Sequence, residues 1–361
     1  MTYGPRRESV QNGWMWPRFN APSLARMARE VDTQVLGFQL GVELRLWRQR
    51  RRSNGEHMLP TAIYFETSSY CEGACADCYV PGVDRTQHLR LDADTLERLL
   101  VASEKLPIAY VCIVGGEPLD ASIVDHNLRL VREHPRTRFL MCTSGETGIG
   151  PELGRELGAL RNLSLLVSFE GLPSTHQSIR PRGSFGQASA TLDAYRRHSG
   201  SLCGASVTLR ASNWHEATGR EFFQQLSAAG AQYFVYAPCE TRTGTPMLSP
   251  ELYARALDRL AELSASSDAL VFSYPFGQIL GNRIAPARRF RSLTVDYLGN
   301  VYIARRGPSF GNVYDTDLAT LLSGPALQAA YCKAAAGPAS WRPSPMPTEL
   351  GAAPMSSGLQ T

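Results

Sequence analysis

Between residues 61 and 237 short apolar runs alternate with longer segments whose apolar residues recur at helical spacing. The runs are 61–67, 108–114, 138–143, 163–169, 203–210 and 232–237; the segments between them are 92–105, 120–134, 150–160, 185–198 and 215–229. Runs of this length bounded by turn residues read as strands, and the intervening segments as helices. Parallel strands need a crossover long enough to hold a helix, so repeated strand–helix units predict an α/β fold on a parallel sheet. In parallel α/β folds the chemistry sits at the C-terminal ends of the strands. The residues just past each run are therefore the candidates for a site.

The flanks are read by pattern and composition. Leu24, Val31, Val35, Phe38, Val42 and Leu46 share one face of a helix that Pro22-Ser23 opens, which predicts a helical extension over 1–57 packed on the sheet or on a partner. Arg26, Asp32, Glu43 and Arg45 interrupt that face, so it does not span a membrane. Residues 58–240 form the core. In 241–333 a helix is expected from Ser249 to about Leu263, then a strand pair, Arg291–Asp296 and Asn300–Ile303, and a last helix from Leu318 to Tyr331. Residues 334–361 are rich in Ala, Pro, Ser and Gly and read as a disordered tail. Hydrophobic residues at 43% and charged residues at 19% fit a globular protein, and a formal net charge of +4 is too small to argue for nucleic acid. Arg48, Arg50, Arg51 and Arg52 read as a solvated helix end. Residues 1–17 lack the apolar core of a secretory leader, and no run approaches the roughly 18 apolar residues of a membrane span. A cytoplasmic protein is expected.

The chemistry-bearing residues follow the strands. Cys71, Cys75 and Cys78, spaced C-x3-C-x2-C, come just after the first. Three thiolates can hold three irons of a four-iron, four-sulfur cluster, which ordinarily takes four cysteines; the missing ligand leaves one iron open, as a catalytic site requires. Structural zinc needs four ligands, and neither His57 nor His88 completes a zinc spacing. Gly115-Gly116-Glu117-Pro118 ends the second strand, Thr143-Ser144-Gly145 the third, and Ser168-Phe-Glu170-Gly171 the fourth. Arg180 and Arg182 follow in the run His176-Gln-Ser-Ile-Arg-Pro-Arg-Gly. From residues alone these elements also read as a strand-to-helix turn, a helix cap, a turn cap and solvated loop arginines. Cys112, Cys142 and Cys203 fall inside apolar runs and read as buried small hydrophobes.

Together these motifs resemble the radical S-adenosylmethionine (SAM) enzymes, over about residues 60–330. The resemblance implies a partial (β/α)6 TIM-type barrel and a [4Fe–4S] cluster on Cys71, Cys75 and Cys78. The amino and carboxylate groups of SAM chelate the open iron, and reductive cleavage gives methionine and a 5′-deoxyadenosyl radical. It further implies that Gly115, Gly116 and Glu117 bind the SAM amino group and that Thr143 and Ser144 stand where relatives read Thr-Asn. Ser168 and Glu170 would meet the ribose and carboxylate, and Arg182, with Arg180 as competitor, would pair the carboxylate. The residue before the third cysteine is often aromatic in the family; here it is Asp77, and Tyr79 is the aromatic residue of the loop. Leu298-Gly299-Asn300-Val301-Tyr302 and Phe310-Gly311-Asn312-Val313 resemble the SPASM or twitch extension. Only Cys239 and Cys332 remain after residue 203, short of an auxiliary cluster, so a degenerate extension acting as a lid is expected. The implied partners are a one-electron reductant such as flavodoxin or ferredoxin and a small-molecule or natural-product substrate. A ribosomally made peptide is the alternative substrate, and a zinc-bearing interaction protein on the same scaffold is the alternative of another class.

Overall fold

The computed structural model describes residues 59–336 except 61, 74, 76, 79–87, 107, 109, 200, 241–246, 268, 274–276, 281–282, 287–291 and 304–307. The N-terminal extension, Tyr79 and residues 337–361 lie outside the described residues.

Six parallel strands form the core: β1 (Ala62–Ser68), β2 (Tyr110–Gly115), β3 (Phe139–Thr143), β4 (Leu163–Phe169), β5 (Cys203–Leu209) and β6 (Tyr233–Pro238). Between them run α1 (Ala93–Glu104), α2 (Val124–Glu133), α3 (Pro151–Ala159), α4 (Pro173–Ile179), α5 (Phe185–His198), α6 (Trp214–Ala217) and α7 (Arg220–Ala228). Side-chain caps set several starts: Asp92 accepts from Thr95 N at 2.8 Å before α1, and Ser184 from Gln187 N at 3.3 Å before α5. The segment expected as one helix over 215–229 is broken at Thr218-Gly219, and α4 is an additional short helix.

Alternation along each strand separates two faces. Ile63, Phe65, Val111, Ile113, Leu165 and Val167 join one continuous apolar core with Leu96, Leu128, Leu157 and Leu192 of the helices. Each fully buried side chain of this kind contributes roughly 1.5–3 kcal/mol. The alternate positions, among them Tyr64, Leu140, Ser164, Ser168, Ser206 and Thr208, are half-buried and line the inner face. Cys112 and Cys203 are buried. Cys142 is only half-buried, because its strand position turns it to the inner face.

After α8 (Pro250–Ala265) the chain adds β7 (Leu270–Ser273), parallel to β6, then β8 (Gly277–Leu280) and β9 (Arg283–Pro286) as an antiparallel meander. It then crosses to the opposite edge. There β10 (Ser292–Val295) pairs parallel with β1, Ser292 facing Ala62 and Val295 facing Phe65, and β11 (Val301–Tyr302) pairs antiparallel with β10. The eleven described strands make one sheet in the order β11-β10-β1-β2-β3-β4-β5-β6-β7-β8-β9, so among the described residues the barrel is open. This is a partial α/β barrel widened at both edges.

The C-terminal hairpin is therefore part of the wall, which corrects the lid expectation. Leu293, Val295 and Val301 are fully buried, and Leu318, Leu322, Leu327 and Tyr331 of α9 (Leu318–Ser323) and α10 (Pro325–Ala336) pack behind them. The Tyr331 hydroxyl donates to Ser292 O at 3.2 Å. Helix α10 also runs past the expected start of the tail at 334, since Lys333–Ala336 is made of good helix formers. Among the described residues no helix is long and apolar enough to cross a membrane.

Candidate active site

The loop after β1 is pinned at its base before it reaches the cysteines. Ser69 N donates to Leu89 O at 2.9 Å, Leu89 N to Ser69 Oγ at 3.1 Å, and Leu91 N to Thr67 O at 3.3 Å. Cys71, Cys75 and Cys78 are half-buried and free, and Cys78 N closes a turn on Cys75 O at 3.4 Å. A Cβ on Gly73 would stand 3.2 Å from Cys71 Sγ and 3.8 Å from Cys75 Sγ, so both sulfurs gather over the residue that has no side chain. Burial pushes the Cys71 thiol up to about 12, against a lowering Gly73 backbone hydrogen bond; Glu117, Cys75 and Cys78 push it further. Cys75 is also raised by burial, with Arg180 pulling it down. The thiolate is the metal-binding form, so iron uptake here must displace protons. Among the described residues no three His, Cys, Asp or Glu side chains converge on a site for a single ion.

The end of β2 backs directly onto this loop. Gly116 N donates to Ser68 O at 2.7 Å and Glu117 N to Tyr70 O at 2.8 Å. A Cβ on Gly115, whose φ is +114°, would lie 2.7 Å from Ser68 O, and one on Gly116 would fall on the Tyr70 carbonyl. Both glycines are thus needed for close backbone approach. Glu117 is buried and fully engaged. Its Oε1 accepts from the Thr143 hydroxyl at 2.5 Å and Leu119 N at 3.0 Å, and its Oε2 from Ser144 N at 2.8 Å and the Ser144 hydroxyl at 2.7 Å. The structure brings Glu117, Thr143 and Ser144 together by binding them to one another.

At the ends of β4 and β5 a second carboxylate is held by arginines. Glu170 is 2% exposed; its Oε1 accepts from Arg180 Nε at 3.1 Å and Nη2 at 2.9 Å, and its Oε2 from Arg210 Nη1. It caps no turn by its side chain; Asn213 Nδ2 donates to its backbone carbonyl at 2.7 Å instead. Arg180 Nη1 also lies 4.0 Å from Glu146 Oε1, and buried His176 Nε2 lies 3.8 Å from the same oxygen. Arg182 is on the outside of the loop, where Nη1 donates to Glu72 O at 3.2 Å. Ser168 sits on the inner face opposite Ser206 of β5. Sequence reasoning missed Arg210, Asn213, Glu146 and His176. Arg210 left a signal, being a charged residue at the C-terminal end of an apolar run.

Residues 65–218 match the family model of the Radical SAM superfamily. The chain carries a radical SAM domain. That domain spans β1 to α6 and is the catalytic domain of an enzyme superfamily, so the chain is an enzyme. Among solved structures, Streptococcus suis SuiB bound to its precursor peptide SuiA superposes with a TM-score of 0.63 at 14% identity, over 79% of this chain and 69% of that one. SuiB bound to S-adenosylmethionine gives 0.61 at 14% identity, over 78% and 70%. The enzyme anSMEcpe with bound AdoMet and the Cp18Cys peptide gives 0.58 at 13% identity, over 74% and 81%. At these identities the likeness shows a shared fold. No curated protein sequence matches the chain.

Proposed function

We propose that Cys71, Cys75 and Cys78 hold one [4Fe–4S] cluster and that this radical SAM enzyme abstracts hydrogen from an organic substrate in a biosynthetic tailoring step. The observation that carries the proposal is the gathering of free thiols over Gly73, at the C-terminal end of β1, on a loop backed by Gly115–Glu117. Three soft thiolates, with no fourth ligand beside them among the described residues, suit an iron–sulfur cluster with an open iron. When bound, the reduced cluster supplies the electron that splits SAM into methionine and a 5′-deoxyadenosyl radical.

The chain's own residues do the positioning. Glu117 fixes the ends of β2 and β3 beneath the loop. Arg180 has its Nε and Nη2 committed to Glu170, whereas exposed Arg182 spends one donor on Glu72 O. Arg182 therefore keeps guanidinium donors for the SAM carboxylate, which such a fork fits bidentately. Ser168 lines the inner face beside them. Glu170 holds Arg180 and Arg210 in place at the ends of β4 and β5.

After residue 203 the sequence holds two cysteines, Cys239 and Cys332, short of the four that an auxiliary cluster takes. That shortfall supports a single cluster, and with it a small-molecule or natural-product substrate. A peptide substrate is the second reading, favoured by the likeness to SuiB and anSMEcpe, both solved with peptides. A one-electron donor such as flavodoxin or ferredoxin would supply the reducing equivalent.

Anaerobic reconstitution followed by SAM and dithionite tests the proposal. About four irons per chain and release of 5′-deoxyadenosine are expected. One zinc per chain and no deoxyadenosine would overturn it in favour of a zinc-bearing interaction protein.

A further inference from the structure

Asp77 occupies the position just before the third cysteine, and its carboxylate is spoken for. Its Oδ2 lies 3.5 Å from Arg210 Nε. Arg210 is buried at the end of β5, and its Nη1 donates to Glu170 Oε2. Its backbone N–H donates to Asn213 Oδ1 at 2.6 Å, and Asn213 in turn donates to Glu170 O and Thr208 O. The other oxygen of Glu170 holds Arg180. One buried carboxylate thus fixes two guanidinium groups, and one of them reaches across to the cysteine loop.

We propose that Arg210 is a positioning residue of the cofactor site, clamping the Asp77–Cys78 turn to Glu170. The physical reason lies in the guanidinium fork. It hydrogen-bonds Glu170 through Nη1 while its Nε edge faces the Asp77 carboxylate as an ion pair, two directions at a fixed angle that a lysine ammonium does not hold. Among the described residues, the Cys78–Cys75 backbone bond is the other contact that holds the turn. This inference rests on the cluster assignment to the three cysteines.

The test compares Asp77→Asn, Arg210→Gln and the double variant by two readouts. In the cluster-free chain, maleimide labelling of Cys78 measures the clamp without any cofactor. Both single variants should speed it about two- to fivefold, the value of a partly exposed ion pair, while labelling of Cys71 stays unchanged. In the reconstituted enzyme, SAM affinity should fall by a similar factor, with a changed EPR signal on SAM addition. In both readouts the double variant should be no worse than Arg210→Gln, because one interaction is removed twice. Additive losses, or wild-type labelling and affinity in Asp77→Asn, would overturn the proposal. Asp77 is more than a third exposed, so its variant folds and decides the matter even if Arg210→Gln does not. Failure of the wild type to take up iron would sink the cluster assignment, and the labelling result would still judge the clamp.

Discussion

Gly116→Ala probes the contact on which the site is built. The added methyl would fall on the Tyr70 carbonyl oxygen, so something must move. Two backbone hydrogen bonds cross this contact, Gly116 N to Ser68 O at 2.7 Å and Glu117 N to Tyr70 O at 2.8 Å. Moving the loop away breaks both, at about 0.5–1.5 kcal/mol each. Keeping them forces overpacking strain of about 1–3 kcal/mol. Either route costs roughly 1–3 kcal/mol, against a total stability of about 5–15 kcal/mol. The variant should therefore fold, with the cysteine loop displaced and Glu117 drawn off Thr143 and Ser144. Gly186→Ala is the control. A Cβ there meets only Ser184 Oγ at 3.7 Å, and inside a helix it should gain up to about 1 kcal/mol. The assays are urea unfolding of the cluster-free chain and iron content after anaerobic reconstitution. Gly116→Ala with the stability and iron content of the wild type would refute the claim that glycine is there for close approach.

Replacing Cys71, Cys75 or Cys78 by Ala should abolish iron binding and deoxyadenosine release, whereas Cys239→Ala should keep about four irons per chain. Arg182→Ala should weaken SAM binding about ten- to hundred-fold with the cluster retained; Arg180→Ala should also destabilise the fold, because it leaves Glu170 half-paired in a buried site. Burial opposes protonation of His134, but hydrogen bonds to Glu97 and Glu104 outweigh it and hold the pKa above the ordinary value. Its contribution to stability is thus complete below about pH 6.5 and lost as pH rises through the raised value, so His134→Gln should destabilise more at pH 6 than at pH 9 in urea titrations. Truncation before Ser292 should unfold the chain by circular dichroism: it removes Leu293, Val295, Val301, Leu318, Leu322, Leu327 and Tyr331 from the core, roughly 10–20 kcal/mol of burial.

The sequence made the six core strands legible to within a residue or two, because a strand buried on its helix-facing side announces itself as a short apolar run. Helix α4 was not legible: it is seven residues long and its segment, Pro173–Ile179, is polar with one buried residue, His176. Strands β7, β8 and β9 are four residues each, too short to carry a period. The hairpin of β10 and β11 was visible locally. Its parallel pairing with β1 was not, since a contact between distant segments leaves no mark on either one alone. That is why a piece of the wall read as a lid. The same limit governs the site. Cysteine spacing and Gly-Gly-Glu are local and could be read. The partners of Glu170 and Asp77 lie on other elements, and only the fold reveals that Arg210 joins them.

The cysteine loop is braced in two physically different ways. On the β2 side the brace is backbone on backbone, short and possible only because Gly115 and Gly116 have no Cβ. It fixes the path of the loop through Ser68 and Tyr70, upstream of Cys71. On the β4 and β5 sides the brace is ionic and runs through Glu170 to Arg210 and Asp77, next to Cys78. A backbone contact has one geometry, whereas an arginine bridge can break and re-form. The Cys71 end is therefore the rigid end of the loop and the Cys78 end the adjustable one. Arg182, touching the loop at Glu72 from outside, stands beside the rigid end, which suits the proposed pairing with the SAM carboxylate.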